Sequence, residues 1–229
     1  MNTAERLKAL KTELDNSKAT LIAVSKTKSE AEIMEAYEAG HRDFGENQVQ
    51  ELVRKQENLP KDIRWHQIGT LQTNKVKYLA SFISLIHSVD SLKLLQEINK
   101  QAKKHDRIID CLLQIHIADE DTKFGLDHED LIELLRGDAI KDLQHVRVVG
   151  LMGIASNTSN ERIVKEEFYE LKTLFDGIKL SFFRHDPAFS ILSMGMSSDY
   201  KIALEQGSNM IRVGSAIFGA RNYNKQSEN

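Results

Sequence analysis

Short apolar runs alternate with longer amphipathic stretches along most of the chain. The runs cover residues 21–25, 42–45, 65–68, 83–89, 109–117, 146–152, 189–194 and 210–213. Several are continuously apolar, the pattern of parallel strands covered on both faces. The stretches between them carry helical signals. Ser29-Glu30-Ala31-Glu32 reads as a capping box, followed by Ile33, Met34 and Tyr37 and stopped at Gly40. Val49, Leu52 and Val53 mark a second stripe, and Leu92, Leu95 and Ile98 a third, with Asp90 or Ser91 as its N-cap. The longest stripe, Ile163, Val164, Phe168, Leu171 and Phe175, is expected to close at Gly177. Eight strands with intervening helices predict an α/β fold, a single TIM-like (β/α)8 barrel. An extra N-terminal helix over residues 3–14, within an N-terminal segment 1–17, precedes the first strand. A doubly wound open sheet is the structural alternative, because runs such as 42–45 are short.

Composition narrows the function classes. The 229 residues suit one barrel domain, with residues 221–229 left as a polar tail. Lys and Arg number 31 against 34 Asp and Glu, a net charge of −3, so no general positive field would attract nucleic acid. The single cysteine, Cys111, excludes an intrachain disulfide and a cysteine-cluster metal site. The first 18 residues are charged and amphipathic, without the apolar core of a signal peptide, and no run reaches membrane-spanning length. The expectation is a soluble cytoplasmic protein with no membrane partner, and a monomer is the preferred state. None of the eight histidines shows HExxH or paired-ligand spacing, so no metal site is expected.

In a barrel of this kind, binding groups belong at the carboxyl ends of the strands. Those positions hold Lys26, Glu46 and Asn47, His66 to Lys75, Ser193 to Asp199, and Arg212 to Ala216. The last two segments are Gly/Ser-rich turns leading into helices, so free N–H groups can face an anion. Each alone reads first as a tight turn with a serine cap; together, in the loops after strands seven and eight, they favour a phosphate site. Lys26 follows an apolar run directly. It can act as a point charge for phosphate, as a nucleophile toward an aldehyde, or as a strand-end lysine reaching water. Nucleophilic action needs the neutral amine, which at pH 7 costs roughly 4–5 kcal/mol for an unperturbed lysine. Partial burial lowers that cost, and so does Lys28 if the extended backbone continues and brings it to the same side. Arg212 sits inside the last apolar run and needs either a ligand or a carboxylate such as Glu46 or Asp43. Facing a pyridine nitrogen, it would donate to that atom and keep it unprotonated.

Lys26, Phe44-Gly45-Glu46-Asn47, Leu71-Gln72-Thr73-Asn74-Lys75, Ser193 to Asp199 and Arg212 to Gly219 occur in an order that resembles the pyridoxal phosphate homeostasis protein family. The resemblance covers about residues 21–219. It implies a fold-type III, alanine-racemase-like barrel that holds pyridoxal 5′-phosphate and serves vitamin B6 homeostasis without accepted turnover. By motif, Lys26 matches the Schiff-base lysine, Ser197, Gly214 and Ser215 the phosphate turns, and Arg212 the residue facing the ring nitrogen. Asn47, His66 and Met152 match positions around the ring and pocket wall, and Ser193 and Met196 fall within the matched seventh-strand motif. Thr70 and Thr73, the Gly153-Ile154-Ala155 turn without its usual proline, and Phe124 depart from the family pattern at the pocket rim. They bear on ligand exchange and partner choice more than on cofactor binding.

Racemisation needs a base on each face of the substrate carbon. In the alanine racemases that this barrel resembles, the second base is a tyrosine from another domain. Here about 14 residues follow Ser215 and include Tyr223 in a polar tail. Tyr200 is the one substitute to watch, with packing beside the barrel as the plainer alternative. Tyr37, Tyr78 and Tyr169 fall in helical stretches. The expectation is therefore a carrier that buffers pyridoxal 5′-phosphate and delivers it to apo-enzymes, with a weak fold-type III racemase as the alternative. A phosphate-ligand sensor without covalent chemistry is a third class. His87 and His116 read as structural residues, Cys111 as a packed thiol, and Lys75 and Lys123 as wet-rim residues.

Overall fold

The computed structural model describes residues 1–118 and 124–219. Phe124 is therefore described, whereas Lys123, Tyr223 and the tail 221–229 lie outside the described residues. Eight parallel strands close into a barrel in sequence order: β1 (Thr20–Val24), β2 (Asp43–Glu46), β3 (Arg64–Gln67), β4 (Leu85–Val89), β5 (Ile109–Ile115), β6 (Val146–Gly153), β7 (Ile191–Ser193) and β8 (Met210–Val213). Closure is made by β1 on β8, with Ile22 opposite Arg212 and Ala23 opposite Val213. The outer layer comprises α1 (Thr3–Leu14), α2 (Glu30–Glu38), α3 (Val49–Asn58), α4 (Leu92–Lys104), α5 (His128–Arg136), α6 (Asp138–Lys141), α7 (Glu161–Phe182), α8 (Tyr200–Glu205) and α9 (Ser215–Phe218). A 3₁₀ turn, Thr73–Tyr78, links β3 to β4.

The period of two along each strand divides the buried residues into two cores. Ile22, Leu85, Leu112, Val149, Met152 and Met210 pack inside the barrel. Leu21, Ala23, Phe44, Trp65, Ile86, Cys111 and Leu113 face outward, into the main core beneath the helices. Every strand is thus covered on both faces, which explains the continuous apolar runs.

Helix starts follow the sequence signals. Ser29 caps α2 through a reciprocal box with Glu32. Ser91, rather than Asp90, accepts from the Leu94 N–H at the start of α4. Asn2 and Glu5 form a further box at α1, whose Arg6 donates to the Ile217 carbonyl at 2.7 Å and ties the helix to α9. One expected boundary fails. α7 does not close at Gly177 but continues to Phe182. Ile178 is buried on the same face as Phe175, and the Phe189 ring stacks on Phe175 at 5.1 Å and on Phe183 at 4.3 Å. That burial outweighs the cost of about 1 kcal/mol for a mid-helix glycine.

No helix of the described residues is long and apolar enough to cross a membrane. No group of three or more His, Cys, Asp or Glu among them is arranged to hold a metal ion.

Candidate functional site

A cavity of about 700 Å³ opens at the carboxyl ends of the strands. Lys26, Asn47, Met196, Ser197, Arg212, Gly214 and Ser215 all line it, contributed by the ends of β1, β2, β7 and β8. His66, Met152 and Ser193, the other residues singled out from the sequence, do not reach it. Met152 is fully buried inside the barrel, and His66 and Ser193 are buried in a polar chain behind Arg212. Ile68, Gln114, Phe124 and Ile154 are also part of the wall. Phe124 and Ile154 thus stand at the rim, as the departures from the family pattern implied, and Ile68 lies in the segment expected after β3; Gln114, on β5, carried no signal in the sequence.

The two late turns are joined to each other. The Gly214 N–H donates to the Ser197 hydroxyl at 3.1 Å, which leaves the hydroxyl proton of Ser197 available to a ligand. Ahead of α8, the Met196 N–H donates to the Asp199 carboxylate at 2.5 Å, and the Tyr200 N–H donates to the Met196 carbonyl at 2.8 Å. Gly195 makes this turn possible. Its φ is +98°, and a Cβ there would lie 2.6 Å from that of Ala203. At the other turn, Ser215 and Ala216 begin α9 exposed at the mouth, where the first N–H groups of a helix lack intrahelical partners.

Lys26 is half-buried on a turn that does not continue the strand. Thr27 takes a left-handed φ of 65°, and the Lys28 N–H folds back to the Ser25 carbonyl at 3.0 Å. The extended geometry expected to bring Lys28 beside Lys26 is therefore absent. Lys28 reaches the same cavity by the turn, with its ammonium donating to the Phe218 carbonyl at 3.2 Å and pairing with Glu32 at 3.3 Å.

A buried ion cluster holds this turn from behind, and sequence reasoning missed it. Lys55, on α3, is fully buried. Its ammonium donates to the Ser25 carbonyl at 2.8 Å, to Glu46 at 2.8 Å and to Glu51 at 2.7 Å. The Ser25 hydroxyl donates to Glu46 at 2.6 Å, and the Thr27 N–H to Glu51 at 2.7 Å. Burial pushes the Glu46 carboxyl above its ordinary range, against the pull of Lys55. The available signal was Lys55 falling on the apolar face of α3, six residues after Val49 and three after Leu52.

Arg212 is not paired with Glu46 or Asp43, the carboxylates considered from sequence. Glu46 serves Lys55, and Asp43 lies in a pair with Arg64. Arg212 Nη1 donates to the Ser193 carbonyl at 2.9 Å and hydroxyl at 2.7 Å, and Nη2 to the Gly153 carbonyl at 2.9 Å. Burial pushes its pKa down to about 10, opposed by Asp199, so it stays cationic at neutral pH. Tyr200 is turned away from the cavity: its hydroxyl donates to Glu13 of α1 at 2.9 Å. Cys111 is fully buried, its thiol pushed far up by desolvation. Lys75 is half-buried on the 3₁₀ turn and is not part of the cavity wall.

The alanine racemase, N-terminal domain family model matches residues 2–222. The pyridoxal phosphate homeostasis protein of Aquifex aeolicus (strain VF5) is 40% identical over 206 residues, 90% of this chain and 88% of that one. The chain belongs to the pyridoxal phosphate homeostasis protein family. Two solved structures of PipY from Synechococcus elongatus PCC7942 are also similar. The one without PLP has a TM-score of 0.87 at 38% identity, and the one with PLP bound 0.84 at 37%. In both cases 95% of this chain and 100% of that chain are covered.

Proposed function

We propose that the protein binds pyridoxal 5′-phosphate in the cavity as a Schiff base with Lys26, and buffers it or hands it to apo-enzymes. The observation that carries this reading is the convergence of Lys26, Arg212 and the joined Ser197 and Gly214 turns on one cavity. The donor set fits the ligand. A primary amine suits an aldehyde. Hydroxyl and N–H donors at the mouth suit a phosphate dianion. A guanidinium, which can only donate, suits an unprotonated ring nitrogen. The bound cofactor supplies an electrophilic aldehyde carbon and a ring that withdraws electrons.

The chain's own part is to bind and orient. The Lys55 cluster fixes the backbone on both sides of Lys26, the two turns would hold the phosphate, and Asn47 and Met196 line the same cavity. A carrier role without clear turnover agrees with the homeostasis naming of the relatives and with the contact of Tyr200 to Glu13, which leaves that tyrosine unused at the cavity.

Borohydride reduction of the loaded protein, followed by peptide mapping, tests the covalent link. The expected result is a pyridoxyl group on Lys26, absent from Lys26→Ala and retained in Lys28→Ala. Unchanged imine absorbance in Lys26→Ala would overturn the assignment. Exchange of amino-acid α-hydrogens in deuterated solvent tests the carrier reading: multiple-turnover exchange would replace it with a racemase.

A further inference from the structure

Four side chains run in series behind Arg212, from the cavity to the opposite end of the barrel. The Ser193 hydroxyl lies 2.7 Å from Arg212 Nη1 and 3.1 Å from His87 Nδ1. His87 Nε2 lies 3.0 Å from His66 Nδ1, and His66 Nε2 lies 3.3 Å from Asp43 Oδ1. Ser193 and His87 are fully buried, and His66 is nearly so. The ends of the series fix its polarity. A guanidinium has no acceptor, so the Ser193 oxygen accepts from Arg212 and its one proton is left for His87 Nδ1. An ionised Asp43, held in a two-point pair with Arg64, only accepts, so His66 Nε2 must carry a proton. With a neutral His66, reversing the middle would set its bare nitrogen against that carboxylate, and the Ser193 proton would lose its acceptor.

The geometry points to a hydrogen-bond relay of a single direction, Arg212 to Ser193 to His87 to His66 to Asp43, in which Ser193, His87 and His66 are positioning residues that hold the guanidinium in its orientation toward the cavity. Both histidines are then neutral and protonated on Nε2. Desolvation, with His66 and then the Arg212 cation adding to it, keeps His87 far below the ordinary histidine range, which agrees with a neutral His87 ring. Nη1 of Arg212 spends both protons on Ser193 and Nη2 spends one on Gly153. Among the described residues Nε–H and one Nη2–H have no acceptor and remain for a ligand. Donation to the pyridine nitrogen rests on the function proposed above, whereas the relay itself does not.

Histidine ¹⁵N spectra of the protein, recorded without and with pyridoxal 5′-phosphate, test the polarity. Nε2–H tautomers are expected at both rings; an Nδ1–H signal at either overturns the relay. Positioning is read on Arg212 itself. Its Nη resonances are expected to stay resolved in the wild type and in His87→Gln, whose amide can accept from Ser193 and donate to His66. They are expected to average in His87→Leu. Equal behaviour of the two variants overturns the positioning role. In the loaded protein, His87→Leu is expected to shift the cofactor absorbance and release cofactor roughly tenfold faster, the scale of one charge-assisted hydrogen bond. If the wild type takes up no cofactor, the functional proposal fails while the ¹⁵N result stands on its own.

Discussion

The Lys55 ammonium ends 2.8 Å from the carbonyl oxygen of Ser25, the residue immediately before Lys26. A fully buried cation on α3 thus holds the backbone that presents the candidate nucleophile, and its charge is met by Glu46 and Glu51 rather than by ligand. Such a cluster contributes more to geometry than to net stability, because desolvation cancels most of the Coulombic gain.

Lys55→Met removes the cation and strands Glu46 in the core. The expected loss is about 3–5 kcal/mol in urea unfolding. Adding Glu46→Gln removes the orphaned charge and should recover part of that loss, so the double-mutant cycle is strongly non-additive. A cofactor that still dissociates faster from the stabilised double variant would separate the positioning effect from the folding effect. Additive losses would mean the two side chains do not share one interaction.

Much of the architecture was legible because double-sided burial writes each strand as an apolar run, and the Ser29–Glu32 box writes its own helix start. Lys26, Arg212 and the late turns were legible because residues at strand ends have one place to go in a closed barrel. The end of α7 was not, since the reward for crossing Gly177 comes from Phe189, far along the chain. The Lys55 cluster and the Ser193–His87–His66 series were not either. Each joins residues from different strands or helices, and their partnership exists only once the barrel closes.

Ser197→Ala deletes the acceptor of the Gly214 N–H and the hydroxyl offered to the phosphate. Folding stability should fall by only about 1 kcal/mol, since the site is wet. Affinity for pyridoxal 5′-phosphate should fall about tenfold. Pyridoxal, which has the aldehyde but no phosphate, should react with Lys26 equally well in variant and wild type. An equal loss for both aldehydes would place Ser197 somewhere other than the phosphate end.

Gly195→Ala tests the turn that carries Met196 and Ser197. The φ of +98° disfavours any L side chain, and the new methyl would sit 2.6 Å from Ala203 and 3.0 Å from the Tyr200 backbone. Because backbone cannot yield cheaply, a loss of at least about 2 kcal/mol is expected. Thermal unfolding checks the stability, and titration with the cofactor checks the turn. A variant of wild-type stability would mean that the turn relaxes freely, and phosphate binding should then survive as well.

His41 gives the acid limb of the stability curve a defined contributor. Its ring is buried against the Asp43 carbonyl at 2.9 Å, and desolvation, helped by Lys11, pushes its pKa down from 6.5 to about 4. Between those values the unfolded chain binds the proton and the folded one does not, so unfolding free energy drops as pH falls. The full contribution is about 3 kcal/mol, present above pH 6.5 and lost progressively toward pH 4. His87 acts with the same sign. Glu46, whose carboxyl is raised, acts against them above its ordinary value, and Asp43, whose carboxyl is lowered, matters only in more acidic solution. The informative quantity is therefore the difference between wild type and His41→Gln, measured by urea unfolding at each pH. That difference should slope across the window from 6.5 to 4 and be flat above it. A flat difference throughout would mean that His41 accepts its proton in the folded protein as readily as in the unfolded one.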